Sequence, residues 1–105
     1  MKRFSKVLVA MLIAALLVPS MAMAADINVV FVPKLTGNAF FESANDGAQK
    51  YAAEQGFTVT YDGNPEASVA NQVAVIQNAI NSGADAICVS SVDATGLDDI
   101  MKEAM

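Results

Sequence analysis

Three times in succession a short apolar run breaks into a polar, turn-forming loop and resumes as a stretch whose apolar positions recur at steps of three and four. A chain patterned this way alternates strands with helices. Near-continuous apolar strands of four to six residues are those of a parallel sheet covered by helices on both faces. The first unit sets the plan. Ile27 to Val32 reads as a strand, Pro33 to Asn38 as a loop containing Lys34, Thr36 and Gly37, and Phe40 to Gln55 as a helix. Its stripe holds Phe41, Ala44, Ala48, Tyr51, Ala52 and Gln55, and Gly56 fits the left-handed position that ends a helix.

The second unit runs from the strand Thr58 to Tyr61 through Asp62-Gly63-Asn64-Pro65, with Ser68 as N-cap. Val69, Val73, Ile76 and Ile80 form the next stripe, which Asn81-Ser82-Gly83 closes. The third strand spans Ala86 to Ser90, and Asp93 is placed to cap a helix burying Leu97, Ile100, Met101 and Ala104. Right-handed crossovers then favour an α/β fold, a three-layer βαβαβα unit with a parallel sheet. The pattern stops at Met105 inside a helical run, so the expectation is the front portion of a longer protein or a truncated copy of one.

Ahead of the first strand, Lys2, Arg3 and Lys6 precede the uncharged apolar run Val7 to Val18, and Pro19-Ser20 leads to Ala22-Met23-Ala24. This is the form of a secretory signal peptide over 1–24, with cleavage expected before Ala25. An uncleaved membrane anchor is the alternative, although a spanning helix needs about 20 apolar residues. Beyond the leader, Lys34, Lys50 and Lys102 face all eleven acidic residues of the chain. So acidic a product is a poor partner for nucleic acid or an anionic membrane.

The residue inventory narrows the chemistry further. There is no histidine and one cysteine, Cys88, so neither a zinc centre nor a histidine-based catalytic triad has its materials. Cys88 lies in an apolar strand and is expected to be a small buried hydrophobe. No glycine-rich dinucleotide or phosphate loop occurs, and no carboxylate pair is forced together by spacing. The chain is therefore read as a non-enzyme, with no cofactor and no metal.

In the expected topology Pro33–Asn38, Asp62–Ala67 and Ser90–Asp93 converge at the carboxyl edge of the sheet, where open α/β folds hold small ligands. Their ammonium, hydroxyls, amide and carboxylates, beside Phe40 and Phe41, suit a polyol or sugar. A buried ligand hydroxyl needs a partner, and an aromatic face covers the apolar side of a sugar ring. Each residue also has a plainer role. Phe41 is in phase with the core stripe, Asn38 can cap the first helix, Ser90 can satisfy a strand end, Lys34 can be a solvated loop residue, and Glu42 and Asp46 fall on the polar face of the helix.

The stretches VPKLTGNAFFESANDGAQKYAAEQG and TYDGNPEASVANQVAVIQNAINSGADAICVSSVDATGL resemble the N-terminal lobe of the periplasmic sugar-binding proteins that feed ABC importers, the family of the ribose-binding protein. The likeness is to the type I periplasmic binding protein fold, and it leans toward the autoinducer-2-binding and rhamnose-binding subgroups. It implies a periplasmic protein that binds a sugar or autoinducer-2-like furanose and delivers it to a membrane permease. It also implies a chemoreceptor as a further partner, and a monomer when the protein is complete. The residues it implies as ligand contacts are Lys34, Asn38, Phe40, Phe41 and Ser90. Ala39 stands where sugar binders of this family often carry proline. The family's clamp binds ligand between two lobes, so further contacts would come from beyond Met105. A sensor domain of a membrane receptor shares the fold and is the alternative reading.

Overall fold

β1 (Asn28–Val32) is the central strand of a three-stranded sheet in a computed structural model that describes residues 26–105. The leader read into 1–24 lies outside the described residues. β1 is followed by α1 (Ala39–Gln55), β2 (Thr58–Tyr61), α2 (Val69–Asn81), β3 (Ala86–Val89) and α3 (Asp98–Ala104). Both pairings are parallel, in the order β2-β1-β3. Val30 lies between Thr60 and Ile87, and Phe31 lies between Tyr61 and Cys88. All three carboxyl ends therefore reach the same edge.

Because successive strand residues face opposite sides, Val30 and Val32 share one face with Ile87 and Val89. On that face Ile76 and Ala79 of α2, Leu97 just ahead of α3 and Ile100 within it complete the core. Val32 and Ile76 are fully buried, and burying a side chain of this size stabilises by about 1.5–3 kcal/mol. The opposite face carries Val29, Phe31, Val59 and Cys88, with α1 bringing Ala44, Ala48 and Tyr51 toward it. The result is the α/β three-layer βαβαβα unit that the periodicity predicts.

Local chemistry sets the element ends. Asn38 is extended and its Oδ1 accepts the Phe40 N–H at 3.0 Å, while the Ser68 hydroxyl accepts the Asn71 N–H at 3.1 Å; both are N-caps. Gly56 ends α1 in the left-handed region (φ 82°), its N–H donating to the Ala52 carbonyl at 2.8 Å.

Three expectations are corrected. Asp93 does not cap α3, which starts five residues later with Leu97 as its N-terminal flank and no side-chain cap. Its carboxylate instead closes a turn by accepting the Thr95 and Gly96 N–H groups. Cys88 is exposed rather than buried, because α1 packs over β2 and leaves the β3 end of its sheet face open. The same placement leaves Tyr51 58% exposed and Ala52 the sole buried residue of the α1 stripe. An apolar groove of about 430 Å³ runs between α1 and this face, bordered by Phe31, Ala48, Tyr51 and Cys88.

Candidate functional site

The three loops at the carboxyl edge are held to one another by side chains and backbone together. From the first, Thr36 donates its N–H to the Asn64 carbonyl of the second at 3.0 Å. Gly63 makes that approach possible. A β-carbon there would lie 2.9 Å from Pro33 Cγ and 3.0 Å from Thr36 Cγ2, so only glycine lets the second loop lie against the first.

Glu42 adds a second tie. Its Oε1 accepts the Gly37 N–H and the Tyr61 hydroxyl, each at 3.0 Å, joining the first loop to the end of β2. The solvated role expected of Glu42 is thus corrected; it is half-buried and engaged. Partial burial of Tyr61, followed by its hydrogen bond to the Glu42 carboxylate and the charge beside it, raises the phenol above its usual pKa. Gly37 takes φ 76°, which turns its N–H toward that carboxylate without the strain a side chain would bring.

Gln72 provides the third tie, and it is the buried polar residue of the core. Its Nε2 donates to the Pro33 carbonyl at 3.0 Å and to the Ser90 carbonyl at 2.8 Å, while its Oε1 accepts the Val92 N–H at 2.9 Å. In the third loop, backbone N–H donation from Thr95 and then Gly96 holds the Asp93 carboxyl below its ordinary pKa.

The five residues singled out from sequence fall around this framework. Lys34 is exposed and borders a narrow cleft with Gly63, Asn64 and Glu66, where the first two loops meet. Asn38 spends its oxygen on the helix cap, leaving its amide NH₂ as a donor. Phe40 is 74% exposed, with its ring edge-on to half-buried Phe41 at 5.1 Å. Ser90 donates its N–H to Val32 and offers its carbonyl to Gln72, leaving the hydroxyl as the part without a backbone commitment. Asn38, Phe40 and Phe41 thus cluster at the start of α1, Lys34 lies on the second-loop side, and Ser90 connects to Pro33 through Gln72. None of the five borders a hollow of about 460 Å³ beside β3 and α3 that includes Ser91, Asp93 and Met101.

Gln72 is the residue that sequence reasoning passed over, and Glu42 the one it left to solvent. Gln72 had a visible signal. It falls three residues after Val69 and four before Ile76, so it interrupts an apolar stripe with a group that needs hydrogen-bond partners. Glu42 had none, because its partners Gly37 and Tyr61 come together only in the folded chain. Among the described residues no group of potential metal ligands occurs, and no helix is long and apolar enough to cross a membrane.

Comparison with known proteins converges on one family. The model of the periplasmic binding protein domain matches residues 29–105. Among solved structures, LsrB from Clostridium saccharobutylicum in complex with AI-2 is 59% identical with a TM-score of 0.73, over 74% of this chain and 24% of that one. An ABC transporter solute-binding protein from Agrobacterium vitis bound to α-D-tagatopyranose is 30% identical with a TM-score of 0.73, over 75% of this chain and 26% of that one. A Burkholderia multivorans solute-binding protein, its unknown ligand represented as α-D-erythrofuranose, is 30% identical with a TM-score of 0.72, over 77% of this chain and 30% of that one. The chain thus spans about a quarter to a third of the length of these relatives. Strand order, loop convergence and sequence agree: this chain belongs to the periplasmic binding protein domain family, a family of solute-binding proteins.

Proposed function

We propose that this chain forms the N-terminal part of the solute-binding component of an ABC-type sugar importer, and that its ligand is an autoinducer-2-like furanose. The single observation that carries the reading is the 59% identity to a protein solved with AI-2, against 30% to the tagatose-bound relative. The ligand would be taken up in the periplasm, after removal of the leader over 1–24, and passed to a membrane permease.

The chemistry of the loops supports a small, hydroxyl-rich ligand. Lys34 supplies a point charge with three donors for ring and hydroxyl oxygens, and Asn38 supplies a neutral donor. The Ser90 hydroxyl can both donate and accept. Phe40, exposed and braced by Phe41, offers an aromatic face to the apolar side of the ring. These four groups and Phe41 are proposed as this lobe's contribution, and opposing contacts would come from a second lobe.

The test is a graft. Residues 26–105 replace the matching segment of the Clostridium protein, and calorimetry measures binding of AI-2, rhamnose, ribose and tagatose. Retention of AI-2 binding within about tenfold of the parent, with the other sugars weaker, is the expected result. A folded graft that prefers another sugar overturns the furanose assignment. One that binds none of them overturns the importer reading of this lobe.

A further inference from the structure

Gln72 belongs to neither loop it holds. It projects from the first turn of α2, is 4% exposed, and commits both amide hydrogens and its oxygen to backbone groups of two separate segments. Those segments leave β1 and β3, whose last ladder bond is the Ser90 N–H donating to Val32 at 2.9 Å. Beyond it the strands stop pairing, and the Pro33 and Ser90 carbonyls turn toward the Gln72 amide. That amide takes over where the sheet ends.

This geometry has a consequence for ligand recognition. Pro33 immediately precedes Lys34, and Ser90 is itself a candidate contact. We propose that Gln72 is the positioning residue of the ligand site, fixing the separation of the Lys34 and Ser90 loops so that this half-site is formed before ligand arrives. The proposal rests on the ligand reading above and adds to it a residue that need not touch ligand. Glutamine suits the task because it is neutral and carries two donors and an acceptor in one plane; no other side chain of its length offers two carbonyls and an N–H their partners at once. Preformed loops also avoid the ordering cost that binding otherwise carries.

The decisive variant is Gln72→Glu, which keeps the shape and the acceptor but removes both donors and sets a carboxylate against two carbonyls. In the graft, AI-2 affinity is expected to fall about tenfold to a hundredfold, as loop displacements of ångström scale do. Ile76→Val, one turn along the same helix and in the core, is the control for general loss of stability; its affinity per folded molecule should match the parent. The ratio of Gln72→Glu to parent affinity should also recover as pH falls, since a protonated glutamate regains one donor. Taking the ratio removes whatever the nearby charged groups, Lys34 and Glu66 at the cleft and Asp93 in the third loop, contribute equally to both proteins. In residues 26–105 by themselves, amide NMR should show Gln72→Glu shifting resonances of both Lys34–Leu35 and Ser91–Val92. Gln72→Met, which is uncharged, serves as the second variant if the glutamate fails to fold, and it should show the same loss without the pH recovery.

An affinity equal to the parent's, or a loss no larger than that of Ile76→Val at matched stability, overturns the proposal. So do amide shifts confined to one loop. A parent graft that binds nothing strikes the ligand reading instead, and the amide measurement then decides the tether alone.

Discussion

Tyr61 and Glu42, nineteen residues apart, meet through a 3.0 Å hydrogen bond in which the phenol donates to the same carboxylate oxygen that accepts the Gly37 N–H. The oxygen thus joins the end of β2 to the turn that starts α1. Glu42→Ala removes both bonds and is expected to cost about 1–2 kcal/mol, less than a buried pair because water can reach the site. Glu42→Gln keeps an acceptor oxygen and should lose under half as much. Urea unfolding of the two variants separates geometry from charge. Spectrophotometric titration of Tyr61 should show its pKa moving down toward the ordinary tyrosine value in Glu42→Ala, since two of the three causes that raise it have gone.

Glycine substitutions should act in opposite directions at two positions. Gly63→Ala drives a methyl to within 2.9 Å of the Pro33 ring and parts the first two loops, a change expected to cost about 1–3 kcal/mol. Gly47 lies inside α1 with nothing within 4 Å of its would-be β-carbon, so Gly47→Ala should stabilise by about 0.5–1 kcal/mol through helix propensity alone. Thermal melts of the pair give the sign directly. Equal effects would mean that the loop contact at Gly63 carries no weight.

Much of the architecture was legible because apolar period and turn chemistry are local. The strand Thr58–Tyr61, the Ser68 cap and the Gly56 stop stand where those rules put them. What escaped depends on packing. The position of β1 between β2 and β3 leaves no trace in periodicity, and the exposure of Cys88 depends on how far α1 reaches across the sheet. Asp93 misled for a different reason. An aspartate that caps a tight turn and one that caps a helix have the same sequence signature, and here Gly96 takes the turn; a β-carbon on it would meet Val69 at 2.8 Å. At the site, the contact candidates could be chosen by chemistry and loop position, whereas the tethers Glu42 and Gln72 link residues distant in sequence.

The core sets the scale against which these tethers are judged. Ile76 is fully buried among Val30, Val32, Leu97 and Ile100, where the sheet, α2 and α3 meet. Ile76→Ala should destabilise by about 2–5 kcal/mol, the larger values applying if the space cannot collapse. In a chain with a small core a loss of that size leaves little of the fold, so the expected observation is loss of cooperative unfolding in urea. A clean transition shifted by a fraction of a kcal/mol would show that α2 is not packed as described.

Acid should remove the stability that the charged Asp93 turn contributes, and the sign follows from Asp93. Its carboxylate accepts the Thr95 N–H at 3.0 Å and the Gly96 N–H at 2.7 Å, so the folded state favours the charged form and the pKa lies below the unfolded value of 3.8. A group depressed in this way contributes its stability in full above the unfolded value and loses it as pH falls through the folded one. Between pH 7 and pH 5 the contribution is therefore flat, and the decline begins near pH 4 and continues downward. Asp93→Asn keeps an acceptor for both N–H groups but cannot titrate, so its stability should lie below the parent's at neutral pH and converge with it in acid. Urea midpoints across that range test this directly. A parallel offset at every pH would mean that the Asp93 charge plays no part in holding the turn.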